Sequence, residues 1–218
     1  MRPSLYVYAL VNGLGAARRM AGHSIEIMSA GAVYAAVERR KRPPRLTEST
    51  LRVQHAIVTG LWRRFDAVLP ARFGTLLTLE ELQRVARLHG PAIRGALQRV
   101  AGRQQMTVRL TGPTLSEKRV KHSRGGPGTA YLVARREATR PRLTGVGSAI
   151  RRGVRSLASA ERIEVADSGR VTLHHLVPRG TASRYRALVA GVARQASTVS
   201  IAISGPWPPF AFVPELWP

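Results

Sequence analysis

Residues 201–213 read Ile-Ala-Ile-Ser-Gly-Pro-Trp-Pro-Pro-Phe-Ala-Phe-Val, with Pro206, Pro208 and Pro209 inside four consecutive positions. Proline lacks an N–H and has a fixed φ, so this block cannot continue a helix or lie in the middle of a sheet. It nevertheless carries Trp207, Phe210 and Phe212, which a free tail would leave in water. The chain must therefore either fold the block back over its own core or dock it onto a partner. The reading favoured here is a tail folded over its own domain, and both readings hold together if Trp207 points inward and part of the segment outward. Truncating a buried Trp or Phe to Ala typically costs about 3–5 kcal/mol. Stiff prolines lower the entropy lost on docking, so the same segment also suits partner recognition.

The 218 residues suffice for one large or two small domains. A 44% hydrophobic content supports real cores and excludes a disordered chain. No apolar run approaches the ~18 residues of a membrane-spanning helix. The start, "MRPSLYVYALVNG", alternates like a strand buried on both faces rather than like a signal peptide. The chain has no cysteine, which excludes disulfides, thiolate metal sites and cysteine nucleophiles and fits a cytoplasmic protein.

The formal net charge is +23, and 32 of the 35 basic residues are arginine. The first 103 residues carry 17 basic and 6 acidic residues, the remainder 18 and 6, so the excess is spread along the chain rather than held in a tail. Such a surface attracts polyanions. No aromatic-basic recognition motif accompanies it, which leaves solvated arginine-rich faces as the simpler reading.

Leu5–Val11 reads as a first strand, and Ser24–Ser29 and Ala32–Val37 as two more joined at Gly31. A helix is expected from about Thr47, with Leu51, His55, Val58, Trp62 and Phe65 as its apolar stripe. Thr78-x-x-Glu81 is a capping box that starts another helix, which Gly90-Pro91 is expected to interrupt. Beyond residue 102, Met106–Leu110 reads as a strand. A glycine-rich loop, a long helical stretch from about Thr129 to Ala160, a hairpin of Ile163–Ala166 with Val171–Val177, a helix through Tyr185 and Val192, and a strand Thr198–Ser204 follow. The expected class is α+β: a small α+β domain over 1–102, a ferredoxin-like β-α-β-β-α-β domain over 103–204, and a proline-aromatic tail over 205–218.

Chemistry-bearing motifs are weak. Gly13-x-Gly15 follows a strand, but Arg18 stands where the dinucleotide fingerprint needs glycine, and the residues beyond read as strand. The turn at 123–128, "SRGGPG", lacks the Lys-Ser/Thr of a phosphate loop. His174 and His175 are adjacent on a strand and so face opposite ways, which rules out joint chelation. His55 on its helix reads as a core or boundary residue. No catalytic constellation emerges, so no enzyme activity, cofactor or metal is expected.

Three segments together, "VLPARFGTLLTLEEL" (68–82), "GGPGTAYLVARRE" (125–137) and "SGPWPPFAFV" (204–213), resemble the gas vesicle protein family GvpL/GvpF and occur in the family's order. The resemblance implies a two-domain α+β protein, the second domain ferredoxin-like. It further implies a non-enzymatic structural or assembly role in gas vesicles, with contact to the small hydrophobic shell protein GvpA and other gas vesicle accessory proteins, in the cytoplasm. This chain departs from the family's pattern at three places. Phe210 stands where a tyrosine is frequent, Gln105 where an acid is usual, and an aromatic is missing near His175. The candidate docking or structural residues are Trp207, Pro208, Pro209 and Phe210, with Arg72, Phe73 and Gly74 supporting the core between the two units. The alternative is a basic nucleic-acid-binding ferredoxin-like module. Against it, Met106–Leu110 and Thr198–Ser204 have no aromatic residue to stack on bases.

Overall fold

Strand β1 (Ser4–Val11) is buried along both faces, and the first unit is built around it. It pairs antiparallel with β4 (Val33–Arg39), β5 (Val68–Pro70) and β6 (Leu76–Thr78). Strands β2 (Arg18–Met20) and β3 (His23–Ala30) extend the sheet beyond β4, in the order β2-β3-β4-β1-β5. The β3–β4 turn is made at Gly31, whose φ of +69° is left-handed and favours glycine. The computed structural model describes residues 4–16, 18–31, 33–112, 145–166, 170–196 and 199–216.

Helix α1 (Glu48–Arg64) starts at Thr47, which exchanges hydrogen bonds with Thr50. It buries Gln54, Ile57, Val58 and Leu61. The expected stripe is thus rotated: Val58 and Phe65 are buried, but Leu51 and His55 stand on the exposed flank. Both faces of that flank satisfy the same three-and-four spacing, and only the packing of Ile57 and Leu61 with Tyr6, Tyr8 and Val11 decides between them.

Helix α2 (Leu79–Val100) starts in the expected capping box, Glu81 N–H to Thr78 Oγ1 at 3.2 Å and Thr78 N–H to Glu81 Oε2 at 2.7 Å. It continues unbroken through Pro91, contrary to the expected interruption. Pro91 and Arg87, whose carbonyl loses its donor, both lie on the solvent side. The buried stripe Leu82, Ala86, Gly90, Ile93, Leu97 and Val100 passes the proline on the other side.

The chain divides into two units, Met1–Gln105 with Trp207–Pro218, and Met106–Pro206. The residues read as a tail from 205 onward therefore group, from Trp207, with the first unit. In the second unit, β7 (Arg103–Thr111) is followed by a helix α3 over 145–154, β8 (Ala160–Val165), β9 (Val171–Pro178), α4 (Ala182–Ala193) and β10 (Ser200–Trp207). Its sheet order is β10-β7-β9-β8. Met106, Val108, Leu110, Ile150, Val154 and Tyr185 are among its core residues.

Strand β10 runs on past the expected end at Ser204 and includes Pro206. This is possible because β10 is at the sheet edge, where a missing N–H can face away from the ladder. The glycine-rich loop over 112–128, the "GGPGTAYLVARRE" segment, the first part of the long helical stretch and the hairpin tip at 167–169 lie wholly or largely outside the described residues.

Candidate functional site

Within the C-terminal segment Pro208 and Pro209 lie further inside than Trp207 and Phe210. Pro208 and Pro209 are buried, whereas Trp207 and Phe210 keep 37% and 40% of their surfaces exposed. Two short backbone bonds turn the segment, Phe210 N–H to Pro208 O at 2.8 Å and Phe212 N–H to Pro209 O at 3.1 Å. The resulting single turn, Phe210–Phe212, lies against β5. Leu216 closes the segment in a buried position. The pyrrolidine rings thus fill the inner side, and the two aromatic rings are carried outward on a backbone that cannot easily rearrange.

His55 on α1 receives both rings. Its imidazole meets Trp207 edge-on at 5.4 Å and stacks on Phe210 at 5.9 Å. Leu51, one helical turn earlier, is also exposed, at 44%. The outcome is a surface patch of a histidine, two rings and a leucine whose aromatic members are held in place but only partly covered.

Gln105 anchors the segment from beneath. Its Oε1 accepts the Ala211 N–H at 2.8 Å, and the residue is buried. An acidic residue at this position would offer the same acceptor, so glutamine retains the anchor without a buried charge.

The Arg72-Phe73-Gly74 segment forms a tight turn. Thr75 N–H and Oγ1 both donate to Arg72 O, at 3.2 and 2.8 Å, and Gly74 has φ +89°. Arg72 is exposed, while Phe73 and Gly74 are half-buried. Tyr6 and Gln54 hold this turn from the core. The Tyr6 hydroxyl donates to Gln54 Oε1 and accepts the Gly74 N–H at 3.2 Å, and Gln54 Nε2 donates to Ala71 O at 3.3 Å. Gln54 and His55 therefore divide the work on α1. One points inward to the turn, and its neighbour points outward to the rings.

Behind Tyr6 lies a polar cluster on β1, β3 and β4. Tyr8 donates to Glu38 Oε2 at 2.8 Å, Arg40 Nε donates to the same oxygen at 2.7 Å, and His23 Nδ1 lies 3.1 Å from Oε1. Burial opposes ionisation of Glu38, but hydrogen bonds from Arg40, His23 and Tyr8 outweigh it and hold the carboxyl below its ordinary 4.5. Burial, reinforced by Glu38, pushes the Tyr8 hydroxyl well above the usual phenol range, so it stays a donor.

The sign follows from the lowered Glu38. Its stabilising contribution is complete above the unfolded carboxyl value, 4.5, and is lost as pH falls through the lower folded value. The acid side of the stability curve should therefore be shallower in Glu38→Gln than in the parent. Thermal unfolding followed from neutral pH into acid checks this, and parallel acid limbs would contradict it.

Among the described residues no group of three or more His, Asp or Glu side chains is placed to hold a metal. His174 and His175 point apart. His174 meets Thr107, and His175 meets Tyr185 and Glu161. Past Gly13 and Gly15 the chain enters the β2–β3 hairpin rather than a helix. No helix of the described residues is long and apolar enough to cross a membrane.

The family described as gas vesicle synthesis protein GvpL/GvpF matches residues 4–214. The chain belongs to the GvpL/GvpF family. The crystal structure of the gas vesicle protein GvpF from Anabaena sp. PCC7120 is similar, with a TM-score of 0.77 at 11% identity, over 97% of this chain and 98% of that one. GvpF from Microcystis aeruginosa gives 0.74 at 12% identity, over 96% and 98%. No curated protein matches in sequence. At such identities the structural likeness speaks for a shared α+β fold, while the family match carries the gas vesicle role.

Of the seven expected site residues, four sit in the C-terminal segment and three in the turn after β5. Sequence reasoning missed His55, Gln54 and Gln105 as their supports. For Gln105 the one signal was its polar side chain just before the strand read from Met106. For His55 the signal was Leu51 beside it: two residues that a shifted stripe puts outside.

Proposed function

We propose that this member of the gas vesicle family is a non-enzymatic assembly component that binds the hydrophobic shell protein GvpA through the Trp207–Phe210 patch. The observation that carries the reading is the arrangement of the C-terminal segment, with prolines buried and rings presented. A shell subunit that will face gas exposes apolar surface before it polymerises, and such surface aggregates in water. Rigidly held aromatic anchors bind apolar surface with little ordering cost, and Trp ranks among the commonest interface hot spots. The Arg72-Phe73-Gly74 turn serves as a structural support of the same unit. The protein works in the cytoplasm at the growing vesicle, with other gas vesicle accessory proteins as further partners.

The second unit supports a ferredoxin-like reading. Its elements follow the order β-α-β-β-α-β, and its strands are arranged with the last beside the first and the third beside the second.

Co-purification with GvpA tests the proposal. Trp207→Ser with Phe210→Ser should retain at least about tenfold less GvpA than the parent, while keeping its melting temperature within about 8 °C. The ring-preserving pair Trp207→Phe with Phe210→Tyr should retain binding. Undiminished capture by the folded double serine variant would reject the patch as the contact.

A further inference from the structure

The second unit contains a recess of about 540 Å³ that the docking reading does not use. Helix α3 lines it with Ser148, Arg151 and Arg152, Arg155 follows in the turn just after the helix, and the opposite wall is Glu161 and His175. The spacing of Ser148, Arg151 and Arg152, at i, i+3 and i+4, puts them on one helix face. Three arginines therefore line one concave surface.

The far wall is built. The β8–β9 register sets Glu161 directly opposite His175. Glu161 Oε2 takes Arg151 Nε at 2.6 Å, and Oε1 takes His175 Nε2 at 3.0 Å. His175 Nδ1 lies 2.6 Å from the hydroxyl of Tyr185, which is fully buried. With Nε2–H donated to the carboxylate, Nδ1 accepts from Tyr185. Burial lowers the pKa of His175, which is 1% exposed, against the opposing pull of Glu161. Burial thus disfavours the charged imidazole, and both oxygens of Glu161 are occupied.

The charge of the recess follows. Arg151 is balanced by Glu161. Among the described residues Arg152 and Arg155 pair with no acid, and both line a concave, hydroxyl-bearing space. Arginine forks match the oxygens of phosphate groups two at a time. Among the described lining residues His175 is the one aromatic ring, and it is buried.

We propose that this recess is an anion-binding site for a small, non-aromatic phosphate compound carrying at least two negative charges, with Arg152 and Arg155 as its principal ligands and the Tyr185–His175–Glu161 chain positioning Arg151 beside them. Inorganic pyrophosphate and a phosphorylated sugar share that chemistry. The site is independent of the aromatic patch and of the gas vesicle role.

Isothermal titration of the full chain with pyrophosphate and, separately, with a sugar bisphosphate tests it at about 0.15 M salt, where diffuse surface attraction is screened over roughly 8 Å. Saturable single-site binding is expected, and the tighter of the two probes identifies the source. Arg152→Gln with Arg155→Gln should weaken it at least about tenfold. Arg109→Gln with Arg184→Gln removes equal charge from exposed positions of the same unit and should change it less than about twofold. Equal weakening by the two pairs would reduce the effect to general charge and overturn the proposal. So would the absence of saturable binding, or displacement of pyrophosphate by single-stranded RNA at lower concentration than by either small probe.

Discussion

Replacing Tyr6 by Ala should destabilise the first unit by about 3–5 kcal/mol, the range for removing a large buried ring. Tyr6 is 1% exposed and meets Tyr8 edge-on at 4.9 Å. The loss extends beyond packing. Gln54 Oε1 loses its donor and the Gly74 N–H its acceptor, so the turn that carries Arg72 and Phe73 is released. Tyr6→Phe separates the two contributions. It keeps the ring and removes only the hydroxyl, which should cost about 1–3 kcal/mol for the polar groups left unpaired in the core. Denaturant unfolding of the three proteins measures both steps. If Phe were as damaging as Ala, the ring would contribute nothing and the packing account of β1 would be wrong.

In the second unit, Tyr185→Ala should show a loss of similar size, about 3–5 kcal/mol. Tyr185 is fully buried in a cluster with Met106, Val154 and Val189. Its hydroxyl fixes His175, which in turn fixes Glu161. Tyr185→Phe leaves Nδ1 of a buried imidazole without a donor and should cost about 1–3 kcal/mol. The pH dependence gives a second readout. Because burial holds the folded His175 below the ordinary 6.5, the unfolded chain takes up its proton first. Stability from this group is complete above 6.5 and is lost as pH falls through the lower folded value. His175→Gln should remove that slope. A parent protein whose stability is flat from neutral pH to about 5 would contradict a neutral buried imidazole.

What the sequence revealed depended on whether the deciding interaction was local. The hydrophobic run Leu5–Val11, the turn at Gly31 and the Thr78–Glu81 cap were legible because each is set by residues a few positions apart. Pro91 misled because the cost of its lost bond and ring clash is outweighed by the apolar stripe packed on both sides of it, while the freed Arg87 carbonyl lies on the solvent side. The α1 stripe misled by one position because two neighbouring faces fit its spacing, and tertiary packing on Tyr6 and Tyr8 chose between them. Neither the Gln105–Ala211 bond nor the Glu161–His175 pair could be read. The first joins positions 106 residues apart, and the second depends on a strand register.

The C-terminal segment is the instructive case. A stiff proline-aromatic block signals burial, but composition does not say which members go inside. Prolines pack well where no N–H needs a partner, and a helix side chain such as His55 can hold rings at the surface.

Fluorine NMR of the chain labelled with 5-fluorotryptophan tests the docking of Trp207 most directly. Its three tryptophans are Trp62, Trp207 and Trp217, and Trp207→Phe assigns the resonance in question. In the free protein the Trp207 signal should respond to exchange of water for heavy water, as a partly exposed indole does. Bound to GvpA it should shift and lose that response. A Trp207 signal equally open to solvent with GvpA saturating the protein would contradict the account.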